Sequence, residues 1–262
     1  MTIDDAAARG FEAGAEAYER GRPEYSTEAV ERLARELLIL PGTRVLDLAA
    51  GTGKLTRLLV PTGAEIVAVE PVAAMRDQLA RAVPGVEILD GTAEAIPLPD
   101  GSVNAVTVGQ AFHWFDGDRA LAEIHRVLQP HGGLALIWQA RDPVRPWMRQ
   151  LEEIIDRADD GHPRFRTHEW RLAFDRSHLF GPLESADYAT VQRGDLETFV
   201  DRVASISYVA ALPDEARAGV LSEVRELLTT DLEIAGAQVI ELPYCVHLYW
   251  AFALSAEHRL EA

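Results

Sequence analysis

The stretch RVLDLAAGTGKLT, Arg44–Thr56, sets an aspartate, Asp47, just ahead of two glycines, Gly51 and Gly53. Glycines between a strand and a helix let backbone amides approach a ligand closely, and such turns often cradle phosphate. The carboxylate at the mouth of this one argues otherwise. A unit negative charge roughly 4 Å from another costs about 4 kcal/mol at an effective dielectric near ~20. A P-loop would also need Ser or Thr after the lysine and a glycine five residues before Gly53; Leu55 and Leu48 stand there.

Two nucleoside cofactors remain. A dinucleotide fingerprint finds its first two glycines in Gly51 and Gly53, but Thr56 replaces the third small residue. That weakens a nicotinamide cofactor without removing it. S-adenosylmethionine carries no phosphate, and it is cationic at its sulfur and its ammonium. Asp47 suits such a ligand. Glu70 lies 17 residues beyond Gly53, at the end of the apolar run EIVAVE, where a carboxylate accepts ribose hydroxyls from either cofactor. A fourth apolar run ends in FHWF, Phe112–Phe115. An imidazole with an ordinary pKa near ~6.5 suits a general base, so His113 is a catalytic candidate. The plainer role for His113 is to shape a pocket.

These residues need elements to position them. Ser26 is placed to cap a helix over Thr27–Leu40, which Pro41-Gly42 ends. Apolar runs at RVLDLAA, EIVAVE, VEILDG, Val103–Phe112 and GGLALIWQA read as strands. Helical patterns over Lys54–Val60, Pro71–Ala82 and Asp116–Leu128 separate them, with Pro71 suited to a first turn. Near-continuous apolar strands alternating with helices predict an α/β fold with a doubly wound, mostly parallel sheet. Ligands bind such a sheet at the carboxyl ends of its strands. Beyond Arg141 the pattern loosens. A helix near Leu151–Ala158, a sixth strand over Leu183–Val191, helices over Leu196–Ala210 and Glu215–Thr230, and a last strand over Val239–Leu254 complete seven strands.

Composition excludes several classes. The 262 residues carry a net charge of −17, which repels a nucleic-acid backbone. The single cysteine, Cys245, precludes an internal disulfide framework, and in its apolar run it reads as a small buried hydrophobe. No run approaches the ~18 apolar residues of a membrane span. A soluble, cytoplasmic protein with a small-molecule partner is expected, and no metal-ligand spacing is apparent.

VLDLAAGTGKLT, VEP (Val69–Pro71), DGTAEAIPLPDGSVNAVTVGQAFHWFD (Asp90–Asp116) and AYERGRPEY (Ala17–Tyr25) together resemble class I S-adenosylmethionine-dependent methyltransferases. The likeness is to the small-molecule group that includes trans-aconitate and quinone-pathway enzymes, and it covers residues 11–140. The resemblance implies that the loop Asp47–Gly53, with Ala49, Gly51, Thr52 and Gly53, lies along the methionyl part of the cofactor. It implies that Glu70, beside Pro71, holds the ribose and that Met75 packs near the adenine. Thr92, Ala93 and Glu94 would border the adenine edge, and Gln110 and Ala111 the methionyl chain. Tyr18 and Arg22 would close over the cofactor, with Arg22 facing its carboxylate. Ala49 departs from the pattern where a glycine is common, and Thr92 where an aspartate often stands. Residues 1–40 would form a helical cover, 41–140 the cofactor-binding core, and 141–262 an elaboration or lid plus the final strands. Arg141, Arg145, Arg149, Arg164, Arg166 and Arg171 make surface ion pairs or a carboxylate-binding lid. They tilt the acceptor toward a carboxylate or other acidic oxygen. A nicotinamide-dependent oxidoreductase and a non-catalytic S-adenosylmethionine-binding protein are the alternatives.

Overall fold

The computed structural model describes residues 22–159, 161 and 165–255. Ser26 opens α1 (Thr27–Glu36), its Oγ accepting a hydrogen bond from the Ala29 amide (3.4 Å), and Val30 and Leu33 face the core. Strand β1 (Arg44–Leu48) leads through the glycine turn into a short α2 (Thr56–Leu59). A 3-10 turn at Val60–Thr62, which contains Pro61, ends that helix. After β2 (Glu65–Val69) comes α3 (Ala73–Ala82). It starts two residues later than its pattern suggests, because the Val72 amide is bound by Glu70 Oε1 (2.9 Å) and lies outside the helix. Strands β3 (Glu87–Leu89) and β4 (Val103–Gly109) precede α4 (Gly117–Val127), which Asp116 caps at the Arg119 amide (3.4 Å). Strand β5 (Leu128–Arg141) closes the first half.

The second half contains α5 (Pro146–Asp156), α6 (Arg171–Arg176), β6 (Glu184–Gly194), α7 (Leu196–Ala204), α8 (Ser207–Ala210), α9 (Asp214–Thr230) and β7 (Ile240–Phe252). The single helix expected over Leu196–Ala210 is broken in two. The Ser205 hydroxyl donates to the Arg202 carbonyl (2.8 Å), a local bond that competes with continued helix. Helix α5 begins earlier than expected, with Pro146 in its first turn, where a missing N–H is harmless.

The seven strands order as β3-β2-β1-β4-β5-β7-β6. The pairs from β3 to β5 are parallel, and β7 runs antiparallel between β5 and β6. Strands β1, β2 and β4 are buried nearly throughout, as strands covered on both faces must be. One face packs Leu121 and Ile124 of α4 with Phe112, Trp138 and Trp170. The other packs Val30 and Leu33 of α1 with Leu59, Ile137 and Trp250. A separate cluster joins α5, α7 and α9 to Leu242 and Tyr244 at the start of β7. Because β7 is antiparallel, Tyr244 pairs with Arg141, the last residue of β5. The helical elaboration is thereby anchored at the carboxyl edge of the sheet, above the glycine turn and FHWF.

Candidate active site

The turn after β1 is built from left-handed residues. Ala49 (φ 56°), Gly51 (φ 58°) and Gly53 (φ 86°) all have positive φ. Ala49 thus adopts the conformation a glycine would take there without strain. A Cβ on Gly53 would lie 3.1 Å from Leu79 and 3.2 Å from Val83, so a glycine lets the turn sit against α3.

Glu70 is 5% exposed at the end of β2 and is tied into this turn. Its Oε2 accepts from the Gly51 amide (2.9 Å) and its Oε1 from the Val72 amide (2.9 Å). Burial raises its pKa against these bonds. Arg76 donates to the Glu70 and Pro71 carbonyls (2.8 Å each), fixing the corner. From here a cavity of about 90 Å³ runs along the strand ends. Ala49, Gly51, Glu70, Pro71, Met75, Thr92, Ala93, Glu94, Gln110 and Ala111 line it, so ten of the residues singled out in the sequence share one cavity. One Glu94 oxygen accepts from the Asp116 amide (2.9 Å), which leaves the other for a ligand.

Asp47 differs from its expected placement at the loop mouth. It is fully buried, and both its oxygens are taken, Oδ2 by the Thr56 hydroxyl (2.6 Å) and Oδ1 by the Thr107 hydroxyl (3.2 Å). Burial, partly offset by those hydroxyls, raises its pKa to about 6. It ties β1 to α2 and β4, and with Thr52 it borders a small void that shares Ala49 and Gly51 with the larger cavity. Tyr18 lies outside the described residues.

A second cavity, of about 160 Å³, adjoins the first, and Gln110 and Trp114 line both. Gln110 is held with positive φ (60°), and its side-chain amide donates to the Gln139 carbonyl (3.2 Å). Such strain persists only where the surroundings impose it, and it gathers at functional sites. Arg22, Arg141, Arg166 and Arg202 line this second cavity, with Glu152 and Asp156. Arg22 therefore stands on the second cavity, its Nη2 donating to the Ser205 carbonyl (3.4 Å). Arg141 and Arg166 both pair with Glu152. Burial alone would raise the Glu152 carboxyl, but these two guanidinium groups hold its pKa at about 2.

His113 lines the second cavity beside Trp114. Burial, then the nearby Arg22 cation, lowers its pKa to about 3. Trp138 Nε1, which can only donate, points at His113 Nδ1 (3.2 Å). The ring is therefore neutral with its proton on Nε2. The nitrogen a general base would use is the one that accepts from Trp138. The Nε2–H is the ring's remaining hydrogen-bonding group.

The arginines expected as a set divide. Arg141 and Arg166 reach the cavity, Arg145 pairs with Glu233 (3.3 Å), Arg149 bonds the Pro143 carbonyl (3.2 Å), and Arg171 lies over Trp170 and Tyr249. Arg164 is outside the described residues. Sequence reasoning missed Arg202, Gln139, Ser207 and Tyr208. A signal existed for Arg202, which falls three residues after Phe199 on the apolar face of α7. Cys245 is only half-buried, because β7 alternates. It lies near His247 of the same strand and Asp187 of the edge strand β6, the last two hydrogen-bonded at 2.8 Å.

Residues 46–136 match the family described as methyltransferase domain. Over 236 residues the chain is 44% identical to an uncharacterized methyltransferase of Mycobacterium tuberculosis, covering 87% of this chain and 89% of that one. The chain belongs to the methyltransferases. An uncharacterized methyltransferase-like protein of Schizosaccharomyces pombe is 35% identical over 228 residues, covering 87% of this chain and 89% of the relative. A solved structure from Anaeromyxobacter dehalogenans, proposed to be a type II methyltransferase, superposes with a TM-score of 0.60 at 26% identity. That match covers 88% of this chain and 96% of the other. This methyltransferase is thus an enzyme of an S-adenosylmethionine-dependent family with the seven-stranded fold of that class. The oxidoreductase alternative finds no support among these relatives. No helix among the described residues is long and apolar enough to cross a membrane.

Proposed function

We propose that this methyltransferase binds S-adenosylmethionine along the strand-end cavity and methylates an acidic oxygen, foremost a carboxylate, of a small molecule in the charged cavity beside it. The observation that carries the reading is the junction of the two cavities at Gln110 and Trp114. The residues present fit the cofactor. Glu70 spends one lone pair of each oxygen on a backbone amide, which leaves one on each for the two ribose hydroxyls. Met75 and Ala93 offer apolar walls to a base, and the glycine turn exposes backbone to the methionyl part. When bound, the cofactor supplies an electrophilic methyl group. The chain's own part is positioning, which by itself accelerates a displacement greatly.

The acceptor class follows from the protonation states. His113 has no free lone pair, and Glu152 is held far below the pKa of a useful base. Neither of these two side chains can take a proton from an acceptor. A carboxylate arrives already ionised. His113 Nε2–H and the arginines orient it and balance its charge.

The test is calorimetric titration with S-adenosylhomocysteine, followed by transfer of labelled methyl from S-adenosylmethionine to a panel of carboxylic acids, phenols, amines and thiols. One-to-one binding and transfer to carboxylic acids, at a rate flat across neutral pH, is the expected result. Transfer confined to amines or thiols, with a rate climbing with pH, would overturn the acceptor assignment. Absence of nucleoside binding would overturn the cofactor assignment.

A further inference from the structure

Arg202 is the least compensated charge in the charged cavity. Its side chain is buried, with 6% of the residue exposed, on the inner face of α7. Its Nε donates to the Tyr244 hydroxyl (3.2 Å), which in turn donates to Gln192 Oε1 (3.2 Å). Its Nη1 is buried and has no hydrogen-bond partner among the described residues. Arg141 beside it is neutralised by Glu152, but no ion pair reaches Arg202 among the described residues. Burial, and then the Arg22 cation, pushes its pKa down to about 10, and Arg141 adds to the effect. A guanidinium taken out of water without a counter-ion costs several kcal/mol. Among the described residues the Tyr244 hydroxyl offsets only part of that cost, and an anion received by the cavity would supply the rest.

We propose that Arg202 is a binding residue for the acceptor, holding a carboxylate of the substrate with the guanidinium it contributes to the cavity wall. This rests on the methyl-transfer reading and sharpens it, because it makes the acceptor an anion bound at a specific side chain. Arg22 lies close enough to share the charge, with its Nη2 on the Ser205 carbonyl one turn along. Ser207 and Tyr208 line the same wall and add hydroxyl donors. Tyr244 holds the guanidinium in place from behind, so the fork is oriented before a ligand arrives. A neutral ester or amide in that position would leave the charge as unbalanced as before. The subsite therefore discriminates for ionised acids.

The experiment uses the whole chain saturated with S-adenosylhomocysteine. Thermal shift and calorimetry are measured with a panel of two- to six-carbon mono- and dicarboxylates, the matching amides, and inorganic phosphate. Wild type is compared with Arg202→Met and Arg202→Lys. Carboxylates should stabilise wild type, and their affinity should fall about 10- to 150-fold in Arg202→Met, the range for a lost charged hydrogen bond. Arg202→Lys should recover part of it. Free of ligand, Arg202→Met should melt no lower than wild type, because it removes an unbalanced charge. S-adenosylhomocysteine affinity should stay within about threefold. If it falls as far as carboxylate affinity, Arg202 serves the cofactor and the proposal fails while the cofactor reading stands. Carboxylate binding that is absent or equal in wild type and Arg202→Met also overturns it, as does phosphate binding better than every carboxylate. Failure of wild type to bind S-adenosylhomocysteine at all would instead refute the underlying reading.

Discussion

Replacing Glu70 by glutamine tests the proposed cofactor site at its most constrained point. The carboxylate is almost fully buried and receives a backbone N–H on each oxygen, from Gly51 and Val72, both at 2.9 Å. A carboxylate has about four lone-pair positions, so one on each oxygen stays open to the cavity. In Glu70→Gln an NH2 must occupy one of the two oxygen sites. Wherever it sits, it opposes a backbone donor with a donor and presents hydrogens to a ribose hydroxyl that needs an acceptor. Hydrogen bonds to a charged group contribute about 1.5–3 kcal/mol each, so the loss of one ligand bond weakens S-adenosylhomocysteine binding about 10- to 150-fold. The effect on folding is smaller. Burial disfavours the ionised form of Glu70 and raises its pKa, so a neutral amide escapes a penalty that wild type bears at neutral pH. The expected cost in stability is about 1 kcal/mol, from one mismatched backbone bond set against that relief. Calorimetry at pH 7.5 measures the affinity, and urea unfolding of the same samples measures the stability. A folded Glu70→Gln protein that binds within about threefold of wild type would refute the placement of the ribose against this carboxylate.

Three further perturbations probe the surroundings. Glu152→Gln leaves Arg141 buried without its partner and should cost about 3 kcal/mol in urea unfolding at pH 7. With a folded pKa of about 2 against 4.5 unfolded, Glu152 stabilises wild type above pH 4.5, and that contribution fades as pH falls toward 2. The gap between wild type and variant should therefore shrink in acid; a pH-independent gap would contradict the ion-pair argument. Ala49→Gly relieves a left-handed alanine and should be neutral or stabilising by up to about 1 kcal/mol, since the strain removed slightly exceeds the backbone entropy added. A clear loss of stability would mean that the alanine methyl matters more than φ. His113, with a pKa of about 3, should stay neutral from pH 8 to pH 5 in imidazole NMR, its proton on Nε2. Because that value lies below the unfolded 6.5, its contribution to stability is full above pH 6.5 and is lost as pH falls toward 3. A titration midpoint near 6.5 would restore it as a candidate base.

Much of the strand-end cavity was legible in the sequence, and the reason is local. In a doubly wound sheet the residues just after each strand face the ligand, so finding the strands in RVLDLAA, EIVAVE and VNAVTVGQAF also finds Gly51, Glu70 and Gln110. The helix cap at Ser26 was equally readable, because a cap bonds within its own turn. What depends on long-range packing was not. Asp47 reads as a free carboxylate until β4 brings Thr107 alongside β1 and occupies its second oxygen. His113 reads as a base until Trp138, 25 residues on, fills its Nδ1. Arg202 reads as a polar residue on an ordinary amphipathic helix. Only the antiparallel insertion of β7 between β5 and β6 carries α7 over the strand ends and turns that guanidinium into a wall of the cavity. The order of the chain determined which residues end strands and start helices, since those preferences act over a few positions. Which carboxylates and cations meet, and hence which groups are spoken for and which await a ligand, was decided by the assembled sheet.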